Sequence, residues 1–230
     1  MVTSGLGVIP LLRRFQRRTF TLAGLSFQSI QVDLQTLVYF WGPQTGFITG
    51  KPTVVVISTF GAPTIRQWHS QVPYFASYYN LYIPDLVFVG KSISTSLDRT
   101  DVFQAQCVAK LLEKIGLERY SIVGHSYGSL VGYHMARLWP ERVDKVVIAS
   151  CAVNLNHKDH LDLMELVGVE TIEDLLVPRT AKSLKLLYAV TMRNRPYIPK
   201  FVLNELLHVS SVSLSFINLH LLMKEYYEIH

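Results

Sequence analysis

The sequence predicts an α/β fold, a mostly parallel sheet flanked by helices and followed by a helical, lid-like region. Three observations predict it. Between about residues 50 and 150, short β-branched runs alternate with helical stretches, the order that builds parallel sheets with right-handed crossovers. A Gly-His-Ser-Tyr-Gly pentapeptide joins one of these runs to the helix after it. Beyond Ala152 the pattern becomes helical throughout, broken at Pro178, Pro196 and Pro199, and no further β-branched run follows.

Each element has its own signal. SIQVDLQTLVYFWG (29–42) is rich in Val, Tyr and Phe and predicts two short strands in a hairpin. TVVVIS (53–58) is a continuous apolar run of the kind buried on both faces of a parallel sheet. A helical stretch is expected around Ile65 to Ser77. NLYIPDL (80–86) is the next strand, closed by Pro84 and Gly90. Thr100 and Asp101 open a helix, with Asp101 as the expected cap, an apolar stripe of Val108, Leu111, Leu112 and Ile115, and Gly116 as its stop. YSIVGHS (120–126) is a buried strand leading into a helix that Pro140 ends, and KVVIAS (145–150) is the last strand. The division expected is a basic N-terminal segment (1–28), a core (29–153), and a helical lid region with a tail (154–230).

Composition limits the function classes. The chain has 230 residues, 49% of them hydrophobic and 17% charged, enough apolar material for a core and too much for disorder. The net charge of +5 is concentrated at the start, where Arg13, Arg14, Arg17 and Arg18 precede the first acidic residue, Asp33. The remainder is near neutral, so no nucleic-acid surface is expected. LLRRFQRRTF (11–20) is read as a solvated helix, with a transit peptide or a membrane-surface helix as alternatives. No 18-residue apolar run predicts a membrane span. A soluble, cytoplasmic location is the default. Cys107 and Cys151 form neither a disulfide framework nor a metal spacing.

Chemistry concentrates at Gly124-His125-Ser126-Tyr127-Gly128, which fits G-x-S-x-G. A nucleophile on a sharp strand-to-helix turn has strained backbone angles, and side chains larger than hydrogen at the flanking positions would clash. Gly128 and Gly132, one turn apart, let the helix approach the sheet closely. With this elbow, Phe60-Gly61-Ala62 after a strand, Trp68, PDLVFVGKS (84–92) and LWPERVDKVVIAS (138–150), the chain resembles the α/β-hydrolase family over roughly residues 30 to 220. Its lid-bearing, plant-type epoxide-hydrolase-like and esterase-like members are the nearest in pattern.

The resemblance implies that Ser126 is the catalytic nucleophile and that the backbone N–H groups of Phe60 and Tyr127 form the oxyanion hole, with Gly124 and Gly128 as the elbow glycines. It implies an acyl-enzyme on ester-like, small apolar substrates, with no cofactor and no metal. Two departures stand out. Ser58-Thr59 occupy the place where the family usually shows His-Gly. After KVVIAS there is no strand with an acid and no final strand with a histidine, so the last core strands and two members of the triad are expected to be missing and turnover impaired. His125, His208, His220 and His230 are weak candidates for a substitute base. His69 and His134 are read as surface or packing residues, the cluster His157, Asp159, His160 and Asp162 as a solvated lid entrance, and Asp85 as a structural brace. The alternatives are a non-catalytic ligand-binding or receptor-like module, or a shortened product without independent function.

Overall fold

A computed structural model describes residues 8–59, 64–151, 157–193 and 197–214. The N-terminal helix α1 (Val8–Leu22) leads into the hairpin of β1 (Leu25–Asp33) and β2 (Thr36–Pro43). The two strands run antiparallel with Ile30 opposite Val38 and Ser26 opposite Gly42. Their turn is set by Asp33, whose carboxylate accepts the Gln35 N–H at 3.0 Å, a local bond that fixes the chain reversal.

The parallel part follows from the apolar runs. β3 (Thr53–Ile57) and β4 (Asn80–Pro84) are buried at every residue, as expected of central strands covered on both faces. β3 pairs in parallel with β4 and with β6 (Tyr120–His125), and β6 pairs in parallel with β7 (Val143–Ala149). The spatial order is β1-β2-β4-β3-β6-β7, with the two-residue β5 (Ile93–Ser94) added beside β2. Among the described residues β7 pairs on one side only, and Val147 and Ile148 are exposed.

The helices depart from the sequence reading in two places. The stretch at 65–77 is two short helices, α2 (Thr64–Trp68) and α3 (Val72–Tyr78), with Pro73 in the first turn of the second. A proline lacks the N–H that a helix interior needs, so it starts a helix more readily than it continues one. The cap of α4 (Asp101–Ile115) is Thr100, which accepts the Phe103 N–H; Asp101 is the first helical residue. Gly116 ends α4 in the left-handed conformation, φ 84°, as its position suggested. The carboxylate of Asp101 instead meets His134 Nε2 at 3.0 Å, tying α4 to α5 (Tyr127–Leu138).

Two compact units result. In the one built on Leu11–Cys151, Phe20, Trp41, Val54, Val56, Trp68, Leu81 and Ile83 form a core on one face of the sheet. The other holds α6 (His157–Val167), α7 (Ile172–Leu176), α8 (Ala181–Thr191) and α9 (Lys200–Leu214). Thr171 caps α7, and Thr180 and Ser183 make a reciprocal capping box on α8. A small cluster of Ile9, Leu184, Leu203 and Leu206 holds α8 and α9 together.

Candidate active site

The site is built where β6 turns into α5. Ser126 occupies that corner with φ 52° and ψ −123°, a conformation costly for a residue with a side chain. Hydrogen bonds hold it there. Its N–H donates to the Ala149 carbonyl at the end of β7 at 2.8 Å, and its own carbonyl accepts the Ser129 N–H at 2.8 Å.

The glycines allow the corner to close. A Cβ on Gly124 would lie 2.5 Å from the Gly128 carbonyl oxygen and from Ser129 Cα. A Cβ on Gly128 would run into the carbonyl of Ile57 and stand 2.7 Å from that of Ser58. Gly132 differs, since its nearest neighbour would be the Ile122 side chain at 2.9 Å. The first two face backbone, which cannot move aside cheaply. Gly124 and Gly128 therefore set the approach of α5 to β6 and β3.

Ser129 was missed in the sequence. It is fully buried, and its hydroxyl donates to the Ala149 carbonyl at 3.3 Å and accepts the Ala149 N–H at 3.2 Å. One side chain thus clasps the end of β7 to the first turn of α5. A hydroxyl among the buried, otherwise apolar positions of α5 was the available signal.

The loop after β3 carries a polar brace. Trp68 Nε1 donates to Ser58 Oγ at 2.9 Å, and Ser58 Oγ donates to Thr64 Oγ1 at 3.3 Å. The Thr64 hydroxyl lies close enough to the Asp85 carboxyl to lower its pKa. Ser58 therefore links the loop to α2, a specific reason for a serine there. The Thr59 N–H donates to Gln67 Oε1 at 3.0 Å. Phe60, the expected second oxyanion donor, lies outside the described residues, as do 61–63.

Asp85 belongs to this brace. Burial pushes its carboxyl up to about 6, against the opposing pull of the Thr64 hydrogen bond and the Arg17 charge. Its loop is pinned elsewhere too. The buried Gln104 amide accepts the Val87 N–H at 2.9 Å and donates to the Val87 carbonyl at 3.1 Å. Ser92 Oγ donates to the Asp85 carbonyl at 2.8 Å. Gly90, at φ 63°, has no room for a Cβ, which would stand 2.5 Å from the Asp85 carboxylate.

Among the described residues no histidine is hydrogen-bonded to the Ser126 hydroxyl. His125 packs edge-on to Trp68 with ring centroids 6.4 Å apart, and burial lowers its pKa, which favours the neutral ring. Its Nδ1 is buried without a hydrogen-bond partner among the described residues. His134 bonds Asp101 and stands eight residues along α5 from Ser126, about 12 Å at the helical rise. His69 binds its own helix end, through Nδ1 to the Arg66 carbonyl at 3.0 Å. The side chains of His157, His160, His208, His220 and His230 lie outside the described residues. No cluster fit to hold a metal ion occurs among the described residues, and burial pushes the Cys107 thiol up to about 12, far from a reactive thiolate.

A serine at a strained strand-to-helix corner, over a parallel sheet entered through an antiparallel hairpin, defines a hydrolase-type architecture. A family model described as alpha/beta hydrolase fold matches residues 52–171, just over half of the chain, and the chain belongs to that family. It is similar to the Abhydrolase domain-containing protein abhd-5.2 of Caenorhabditis elegans, with 23% identity over 152 residues, 64% of this chain and 32% of the relative. It is also similar to 2-hydroxy-6-oxo-6-phenylhexa-2,4-dienoate hydrolase of Burkholderia cepacia, with 25% identity over 43% of this chain and 36% of that enzyme. Among solved structures, a membrane phospholipase A superposes with a TM-score of 0.73 at 24% identity, covering 90% of this chain and 66% of the other. The chain spans about a third of the length of these curated relatives. No helix among the described residues is long and apolar enough to cross a membrane.

Proposed function

We propose that the chain is a serine-nucleophile hydrolase acting on ester-like, small apolar substrates through an acyl-enzyme. The observation that carries this reading is Ser126 at φ 52°, held at the start of α5 by backbone bonds and by two glycines that admit no Cβ. Strain of this kind persists where the surroundings over-determine it, and functional corners are where it concentrates.

In the proposed reaction Ser126 Oγ attacks the ester carbonyl and its proton leaves to a base. The tetrahedral oxyanion is met by the N–H groups of Tyr127, at the positive end of α5, and of Phe60. The C–O bond breaks, the alcohol departs with a proton, and water then cleaves the serine ester to release the acid. The base is the weak point. It must stand within about 3 Å of the hydroxyl; His69 and His134 are hydrogen-bonded elsewhere, and the Nδ1 of His125 has no partner among the described residues. Were no other group to supply that base, turnover would fall to the level that binding and oxyanion stabilisation alone supply, roughly 10³-fold over water. Hydrolysis of p-nitrophenyl butyrate tests it. Release above the buffer rate, lost in Ser126→Ala and raised by added imidazole as a surrogate base, supports the reading; equal rates for the parent and Ser126→Ala refute it.

A second reading is a ligand-binding module without catalysis. It is favoured by the Thr59 N–H, which is bonded to Gln67 within the loop that should present a donor to substrate. Thermal stabilisation by an unreactive ester analogue, unchanged in Ser126→Ala and without hydrolysis of the reactive ester, distinguishes it.

A further inference from the structure

The N-terminal helix has three faces, one of them buried by the fold, and Arg17 on another lies over the Phe27 ring, 5.3 Å from its centroid. Gln16 and Phe20 are buried, and Phe20 packs on Trp41 with ring centroids 4.8 Å apart. A second face is apolar and open to solvent. Val8, Leu11, Leu12, Phe15 and Leu22 recur at the spacing of a single helical stripe, with Leu11 71%, Phe15 62% and Leu22 75% exposed. Between these faces stand Arg13, Arg14, Arg17 and Arg18, all exposed. No ion pair to a carboxylate is formed by these four among the described residues. The helix contains no acidic residue, and the first in the chain is Asp33.

From this arrangement we propose that α1 docks on an anionic lipid surface, lying in the headgroup plane with Leu11, Phe15 and Leu22 inserted. Its 15 residues span about 22 Å, short of the length needed to cross a bilayer. An exposed apolar stripe bordered by cations is the pattern of an interfacial helix: the stripe gains by leaving water, and the guanidinium groups reach the headgroup phosphates along their aliphatic stems. Charge selects this occupant over a second copy of the chain. Two α1 helices brought stripe to stripe would bring their arginines together with no acidic residue on either helix to offset them, whereas an anionic leaflet is complementary to them.

The test is co-sedimentation of the full chain with phosphatidylcholine vesicles, with and without phosphatidylserine. The expected result is partitioning to the mixed vesicles that weakens as salt is raised. Each arginine at an anionic surface is worth about 1 kcal/mol, or roughly fivefold, so Arg13→Gln with Arg14→Gln lowers the partition coefficient about 25-fold. Leu11→Ser with Phe15→Ser lowers it by at least about tenfold. These side chains are exposed, so circular dichroism melts of both variants should match the parent. No sedimentation above the lipid-free control overturns the proposal, as does partitioning unchanged in either double variant. A lipid-free dimer dissolved by Phe15→Ser also overturns it, since the stripe would then be occupied by another copy.

Discussion

Replacing the three glycines around the elbow with alanine, one at a time, separates backbone crowding from side-chain crowding. For Gly128→Ala the new methyl would stand 2.7 Å from the carbonyl carbon of Ile57 and the carbonyl oxygen of Ser58. Ordinary contact begins at 3.4 Å and the Ile57 carbonyl oxygen stands nearer still, so α5 would have to recede from the end of β3 by more than about 0.7 Å. Both obstacles are main chain in a buried strand end, and neither has a rotamer to change. The cost falls at the upper end of the overpacking range, about 3 kcal/mol. Gly124→Ala is as severe, because its methyl would meet Gly128 and Ser129 at 2.5 Å within the elbow itself. Gly132→Ala meets chiefly the Ile122 side chain at 2.9 Å, which can adjust, and the gain in helix propensity of about 1 kcal/mol offsets the crowding. Urea unfolding gives the stability order, and the rate of fluorophosphonate labelling of folded protein gives the position of Ser126. A displacement approaching 1 Å lowers a reaction rate by up to about 10²-fold, so Gly128→Ala should label far more slowly than Gly132→Ala. Parental stability and labelling in Gly128→Ala, or greater damage from Gly132→Ala, would refute the reasoning.

Three further outcomes are expected. Ser129→Ala leaves the Ala149 N–H without its side-chain acceptor, while the Ala149 carbonyl keeps the Ser126 N–H, and should lower stability by about 1 kcal/mol in urea melts; an unchanged midpoint would show that the clasp contributes nothing. Asp85 holds its proton more tightly folded, at about 6, than at the ordinary 3.8, so its contribution to stability is full below about pH 4 and lost as pH rises through about 6, roughly 3 kcal/mol in all. The stability difference between the parent and Asp85→Asn should shift in favour of Asn by that amount across this window; a difference independent of pH contradicts it. Thr100→Ala removes the acceptor for the Phe103 N–H and should cost about 1 kcal/mol, measured by thermal melting, whereas Asp101→Ala should leave that cap intact.

The sheet and its elbow were legible in the sequence because their signals are local. β3 is a five-residue β-branched run, Gly116 stands where only a left-handed residue closes α4, and the elbow glycines sit in one pentapeptide. What escaped notice depends on residues far apart in the chain. Ser58 reads as a departure from the family loop until Trp68, Thr64 and Asp85 are brought around it. The Asp101–His134 bond joins residues 33 apart on two helices, so neither residue betrayed it. Thr100 and Asp101 are both good caps by type, and only the position of the Phe103 N–H decides between them. β5 is two residues long and rests on pairing with β2, too little for any periodicity to show.

The reactivity of one hydroxyl decides whether Ser126 is the nucleophile. Folded protein treated with a fluorophosphonate and measured by intact and peptide mass spectrometry should carry a single adduct on Ser126, lost on prior unfolding and absent from Ser126→Ala. A folded chain that gains no adduct, or gains it at another serine, would contradict the assignment of Ser126 as the nucleophile.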